Sequence, residues 1–236
     1  MIVATMNLQE KLAHVRSDVD RVLRKHRPAM DRLRHALRAS RDKTPRLEFL
    51  DYRSPALINW LVTLHCAKKS ERIYLTAWWH VHGLGLEAFN LAPDGAFYFD
   101  THFFQRYRVR ESGQEDVLGN MAQFLLVNHD ITMKRLPTER HGLPQVVGIS
   151  REGLFLGTER PGAIFACDTY LSVDMLRPEQ LSLYNEMQHH AATKYWSAVQ
   201  RQQHIAAIKE QLDRAERLIK KVEEDRARER AEGLEG

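Results

Sequence analysis

Cysteine is scarce in this chain. Cys66 and Cys167 are the only two in 236 residues, each sits inside an apolar run, and neither has a partner at metal-ligand or redox spacing. A disulfide framework, a zinc ribbon and a thioredoxin-like motif are therefore excluded, and both residues read as buried thiols in a reducing compartment. Long apolar runs are also missing, so no segment is expected to span a bilayer. The first six residues lack the basic n-region and apolar core of a signal peptide, which makes a cytoplasmic protein without a membrane partner the expectation. Gly83-Leu84-Gly85 and the later glycines form no Walker or dinucleotide loop, and no cofactor is expected. Neither a Gly-x-Ser-x-Gly elbow nor a Cys–His protease signature is present, and there is no internal repeat.

What is present suffices for a hydrophobic core without staples. The net charge is only +4, but it is unevenly placed: Arg16 to Lys43 holds ten basic residues against Asp18, Asp20, Asp31 and Asp42. Such a stretch is either the solvated face of helices or a surface for nucleic acid. Overlapping its start, Leu8, Leu12, Val15, Val19 and Val22 alternate steps of four and three, a heptad seam that predicts a helix ending at Pro28. A second helix follows with Met30, Leu33 and Leu37 on one face. Residues 1–49 thus read as a basic helical arm.

Residues 50–176 read as an α+β core with a mainly antiparallel sheet and packed helices. Ser54-Pro55 predicts the start of a helix carrying Leu57, Ile58, Trp60, Leu61 and Leu64, with Lys68 and Lys69 in its last turn. Strands are predicted at Ile73–Trp79, Leu84–Leu91 and Ala96–Phe99, the last after a Pro93-Asp94-Gly95 turn. A helix follows from Asp100, and another is predicted from Val117, Met121, Phe124 and Leu125. Turns at Arg151-Glu152-Gly153 and Arg160-Pro161-Gly162 divide a closing meander into three antiparallel strands. From Pro178 a long helix is predicted, residues 177–236 in all with a charged, fraying tail. Its Ile205, Ile208, Leu212 and Ile219 repeat as a coiled-coil seam for packing within the chain or for self-association.

The most informative stretch is Asp100-Thr101-His102-Phe103-Phe104-Gln105-Arg106-Tyr107-Arg108-Val109-Arg110-Glu111. On a helix His102, Arg106 and Arg110 step by four and share one stripe, with Phe103 and Tyr107 on the next. An imidazole titrating near neutrality can carry a proton to or from a ribose hydroxyl. Guanidinium groups bind phosphate and stabilise charge developing on it. The alternative is a solvent-facing histidine and arginines on a helix capped by Asp100 or Thr101. Thr169, in Asp168-Thr169-Tyr170 at the end of the last strand, gains a role if it lies beside this helix. His80 and His82 point the same way on a strand. No cysteine or carboxylate accompanies them at zinc spacing, so His82 as a second proton carrier is a better reading than a metal ligand, and the plainer alternative is a strand end with aromatic core packing. Arg110 and Tyr107, with Arg24 and Arg27 of the arm, are the candidate phosphate contacts.

The helix His102-Phe103-Phe104-Gln105-Arg106-Tyr107-Arg108-Val109-Arg110, followed by a meander that ends in Thr169, resembles the class of small ribonucleases and toxins that groups barnase-like, EndoU-like, colicin-like and RelE-like domains. The likeness spans roughly residues 72–176. It implies metal-independent cleavage of RNA by the neighbouring 2′-hydroxyl, with His102 as acid or base, Arg106 and Arg110 on the scissile phosphate, and Thr169 assisting. The chain departs from that pattern in its size, its added helices and its terminal coil. A second expectation is a non-enzymatic interaction protein, an accessory of a mobile element or phage, that oligomerises through its helical arms. A third is a nucleic-acid binder without chemistry, held by arginines such as Arg24 and Arg27.

Overall fold

The computed structural model describes residues 2–3, 5–41, 44–81, 85–112, 116–128 and 131–194. The chain divides into Met1–Tyr184 and a second unit from Asn185, described only as far as Lys194. The seam residues Ile205, Ile208, Leu212 and Ile219 lie outside the described residues, as does His82.

Helix α1 (Leu8–Ala39) opens on a capping box: the Asn7 side chain accepts from the Glu10 N–H, and the Glu10 carboxylate accepts from the Asn7 N–H. It does not break at Pro28. A proline inside a helix deletes one backbone bond and crowds the preceding turn. Here Val22, His26, Ala29 and Met30 are buried on both sides of Pro28, and their packing carries the helix through. The predicted pair of helices is therefore one helix, and its heptad seam is the stripe that Leu12, Val15 and Val22 bury.

Strands β1 (Arg46–Arg53), β2 (Asn59–Ala67), β3 (Ser70–Val81), β4 (Gly85–Ala92) and β5 (Gly95–Phe99) form an antiparallel meander. The helix predicted from Ser54 is in fact a turn followed by β2. Ser54 accepts from Leu57 N–H and donates to the Ile58 carbonyl, with Leu57 at φ +59°. Continuous apolar runs suit a strand covered on both faces as well as a helix. In β2, Trp60, Val62 and Leu64 join the core under α1 while Leu61 joins the core on the other face.

Helix α2 (Thr101–Tyr107) leaves β5 and passes through a π-helical turn, Arg108–Ser112, before α3 (Val117–Val127). A second antiparallel meander follows: β6 (Thr132–Arg140), β7 (Leu143–Ile149), β8 (Gly153–Arg160) and β9 (Ile164–Ser172). The last three match the predicted meander. Strand β6 lies where no strand was predicted. It is an edge strand, where Pro137 withholds no needed hydrogen bond, and its register breaks between Arg135 and Glu139. Helix α4 (Pro178–Lys194) ends the described chain, and its Tyr184 donates to the Arg151 carbonyl.

Among the described residues the two meanders form one nine-stranded sheet in the order β1-β2-β3-β4-β5-β9-β8-β7-β6. The fold is α+β with a mainly antiparallel sheet. The exception is the junction: β5 and β9 run parallel, with Phe99 opposite Cys167. One face of the β1–β5 half is buried under α1, and the opposite face of the sheet's centre lies under α2 and α3. That second core is aromatic, with Phe99, Phe103, Phe104, Tyr107, Phe124, Phe155 and Tyr170 meeting mostly edge to face. No helix among the described residues is long and apolar enough to cross a membrane.

Candidate functional site

The parallel pair β5 and β9, the one such pair among the described residues, brings its polar residues together. Strand β5 ends at Phe99, and Asp100 turns the chain into α2 as its N-cap, accepting from the Phe103 N–H at 2.8 Å. On the neighbouring strand Cys167 is followed by Asp168 and Thr169. Cys167 pairs with Gly157 and Thr169 with Leu156, so Asp168 is the extra residue of a β-bulge. A bulge leaves its extra residue out of the ladder and bends the strand locally. The Asp168 carbonyl is used instead by α2: Arg106 Nη1 donates to it at 2.9 Å, and also to the Thr169 hydroxyl. Gly157 makes this crossing possible, because a Cβ there would stand 1.9 Å from the Ala166 carbonyl oxygen.

His102 lies one turn before Arg106 on the exposed side of α2, its Nδ1 3.4 Å from Gln105 Oε1. Arg110 falls in the π turn that follows α2, not on α2 itself; such a turn binds i to i+5 and is wider than an α turn. Arg110 is half-buried, and one guanidinium nitrogen, Nη1, is enclosed without a hydrogen-bond partner. Tyr107, expected at a phosphate, is instead 1 % exposed, with its ring against Phe124 and Tyr170. The i+4 spacing from Phe103 that marked it is the spacing of a core stripe.

Arg24 and Arg27 lie on α1, across the sheet from α2. They line a groove of about 350 Å³ with Met30 and Ile73, beside Arg34, whose guanidinium is already paired with Glu71 and Asp31. The structure therefore joins Arg106 with Thr169, keeps His102 one turn away, and leaves Arg24 and Arg27 elsewhere. His80 is exposed and packs edge-on against Trp78.

The electrostatics centre on two carboxyls. Burial raises the Asp100 carboxyl above its usual range, against the pull of the Phe103 N–H, His102 and Arg106. Burial also raises Asp168, with the Asp100 charge adding to it and Arg140, Arg160 and Arg106 opposing. Arg140 stands 3.8 Å from Asp168. Burial likewise pushes the Cys167 thiol up, which makes it a poor nucleophile. On the α1 side, Glu87 accepts from Lys11 and Trp79. Burial first, then Glu87, drives the Tyr98 hydroxyl far above its ordinary value.

Sequence reasoning missed a cleft beside the bulge. Arg140, His141, Leu143, Thr158, Arg160 and Asp168 line a space of about 460 Å³. The signal was present in the turns, since His141-Gly142 and Arg160-Pro161-Gly162 each bring a basic residue to the end of adjacent hairpins. What was missing was the strand order that sets these hairpins side by side. Among the described residues no group of three or more histidine, cysteine, aspartate or glutamate side chains is placed to hold a metal ion. No family model, curated protein or solved structure matches the chain.

Proposed function

We propose that this chain is a ribonuclease-like toxin or effector domain, acting in the cytoplasm, that cleaves RNA without a metal through its 2′-hydroxyl. The observation that carries the reading is the link from Arg106 to Thr169 at the β9 bulge, with His102 one turn away on the exposed side of α2. In the reaction a base removes the 2′-hydroxyl proton and the oxygen attacks the adjacent phosphorus. The P–O5′ bond breaks, the departing oxygen takes a proton, and a 2′,3′-cyclic phosphate is left. His102 supplies one of these proton transfers, as base or as acid. Arg106 spends Nη1 on Thr169 and Asp168, which fixes the plane of its fork. Its Nε and Nη2 make no bond to the described residues and can meet the phosphate oxygens. Arg110 follows one turn later as a further phosphate contact, and His82 is proposed as the second proton carrier. Incubation of wild type and His102→Ala with mixed RNA in EDTA tests this. Cyclic-phosphate products lost in the variant support the assignment, and equal cleavage by both removes it.

A second reading is a non-enzymatic interaction protein that self-associates through a long C-terminal helix and its seam of Ile205, Ile208, Leu212 and Ile219, and holds nucleic acid on Arg24 and Arg27. The groove that those two arginines line on α1 favours the nucleic-acid part. Ile208→Glu with Ile219→Glu should then convert an oligomer to a monomer in light scattering; a wild-type monomer at high concentration excludes the seam.

A further inference from the structure

The cleft beside the bulge has the parts of a ligand site. Its floor holds Thr158, 2 % exposed, whose hydroxyl oxygen is enclosed and has no hydrogen-bond partner. An enclosed hydroxyl without a partner costs free energy on folding, and a ligand that reaches it recovers that cost. Register puts Thr158 opposite Ala166 and Arg160 opposite Ile164, so both side chains rise on the sheet face that Ala166 and Ile164 share. Asp168 stands two residues after Ala166, at the bulge. Its half-buried carboxylate accepts no hydrogen bond from the described residues, and Arg140 is at ion-pair rather than hydrogen-bond distance. Arg140 and Arg160 form an exposed cationic rim, with His141 beside them at the positive φ of its hairpin turn.

A ligand matched to this lining carries an anion at one end for the rim. At the other it carries two parallel N–H donors for a carboxylate that accepts no hydrogen bond from the described residues and has Arg140 at 3.8 Å, and an acceptor or donor for a hydroxyl. Guanine meets the second requirement, since N1–H and the 2-amino group point the same way and O6 lies next to them. Adenine and cytosine set a single donor beside an acceptor. The volume, about 460 Å³, is in the range of small-ligand pockets. We propose that this cleft is a guanine-nucleotide subsite, with the base on Asp168 and Thr158 and the phosphate between Arg140 and Arg160. The choice of a nucleotide over another donor-bearing anion rests on the ribonuclease reading. The subsite would give the cleavage a preference for guanosine beside the scissile bond.

Calorimetric titration of the full chain with GMP, IMP, AMP and inorganic phosphate tests the subsite apart from catalysis. IMP keeps N1–H and O6 but lacks the 2-amino group. The expectation is saturable GMP binding, with IMP and AMP weaker by on the order of tenfold and phosphate alone weaker still. Asp168→Asn should bring GMP down to the IMP level. Thr158→Val should weaken GMP while leaving thermal stability unchanged or raised, because it deletes an unsatisfied hydroxyl. Absence of GMP binding, equal binding of GMP and IMP, or GMP binding unaffected by Asp168→Asn overturns the proposal. His102→Ala should leave GMP binding intact. RNA cleavage without GMP binding therefore sinks the subsite alone, and GMP binding without cleavage sinks the ribonuclease alone.

Discussion

The guanidinium of Arg106 on α2 is hydrogen-bonded to the hydroxyl of Thr169 on β9, across 63 residues of sequence. The bulge at Asp168 takes its carbonyl out of the sheet ladder, and Arg106 donates to that carbonyl as well as to the Thr169 hydroxyl. Replacing Arg106 by lysine keeps the charge but loses the planar fork that meets two acceptors at once. On the ribonuclease reading cleavage by Arg106→Lys should fall about 10²-fold, with the far-ultraviolet spectrum unchanged. Full activity in that variant would detach Arg106 from the chemistry.

The bulge itself is testable from the facing strand. Gly157→Ala sets a methyl group against the Ala166 carbonyl, and backbone cannot yield as a flexible side chain does. A loss of about 2 kcal/mol or more in chemical denaturation is expected, together with loss of cleavage. A variant as stable as wild type would mean that β8 and β9 can separate without cost.

Helix α1 is pinned into the fold by a buried polar contact: Trp60 Nε1 donates to Asp18 Oδ2 at 3.0 Å, with the two residues 0 % and 2 % exposed. Asp18→Ala leaves a buried indole N–H unpaired and should cost about 2–3 kcal/mol, a fall of several degrees in Tm. Trp60→Phe combined with Asp18→Ala should cost less than the sum of the single changes, because the orphaned partners vanish together. Additive losses would show that the contact carries no coupling.

Asp168 gives a pH signature. Its carboxyl is raised in the folded protein, chiefly by burial and then by Asp100. The folded state therefore holds this proton more tightly than the unfolded chain does. The group favours folding below its unfolded pKa, and that advantage is lost as pH rises through the folded value. Asp168→Asn, which stays neutral, should melt higher than wild type at pH 7, and the gain should shrink below about pH 4. A gain that persists in acid would point to packing rather than charge.

Much of this arrangement could be read before any coordinates. The meander of β7 to β9 was marked by Gly153 and by Pro161-Gly162, and the Asp100 cap announced α2. The helix expected at Ser54 failed because the run from Leu57 to Leu64 is apolar on every side, which periodicity cannot assign; only its place between two covered faces makes it a strand. Pro28 misled in the opposite sense, since packing on the sheet outweighed a local breaker. Spacing placed His102 and Arg106 on one stripe, but no local pattern warned of the π turn that holds Arg110, or separated the core role of Tyr107 from a surface one. The cleft of Thr158, Arg160 and Asp168 had a signal in its two turns, but its assembly depends on the strand order and on a bulge that no local pattern marks.

The most direct measurement is product analysis of a defined RNA incubated in EDTA with wild type and with His102→Ala. The account predicts 2′,3′-cyclic phosphate ends from wild type, none from the variant, and identical melting curves for the two proteins. Cyclic ends at equal rate from both proteins, or no cleavage by wild type of single-stranded and structured RNA alike, would contradict it.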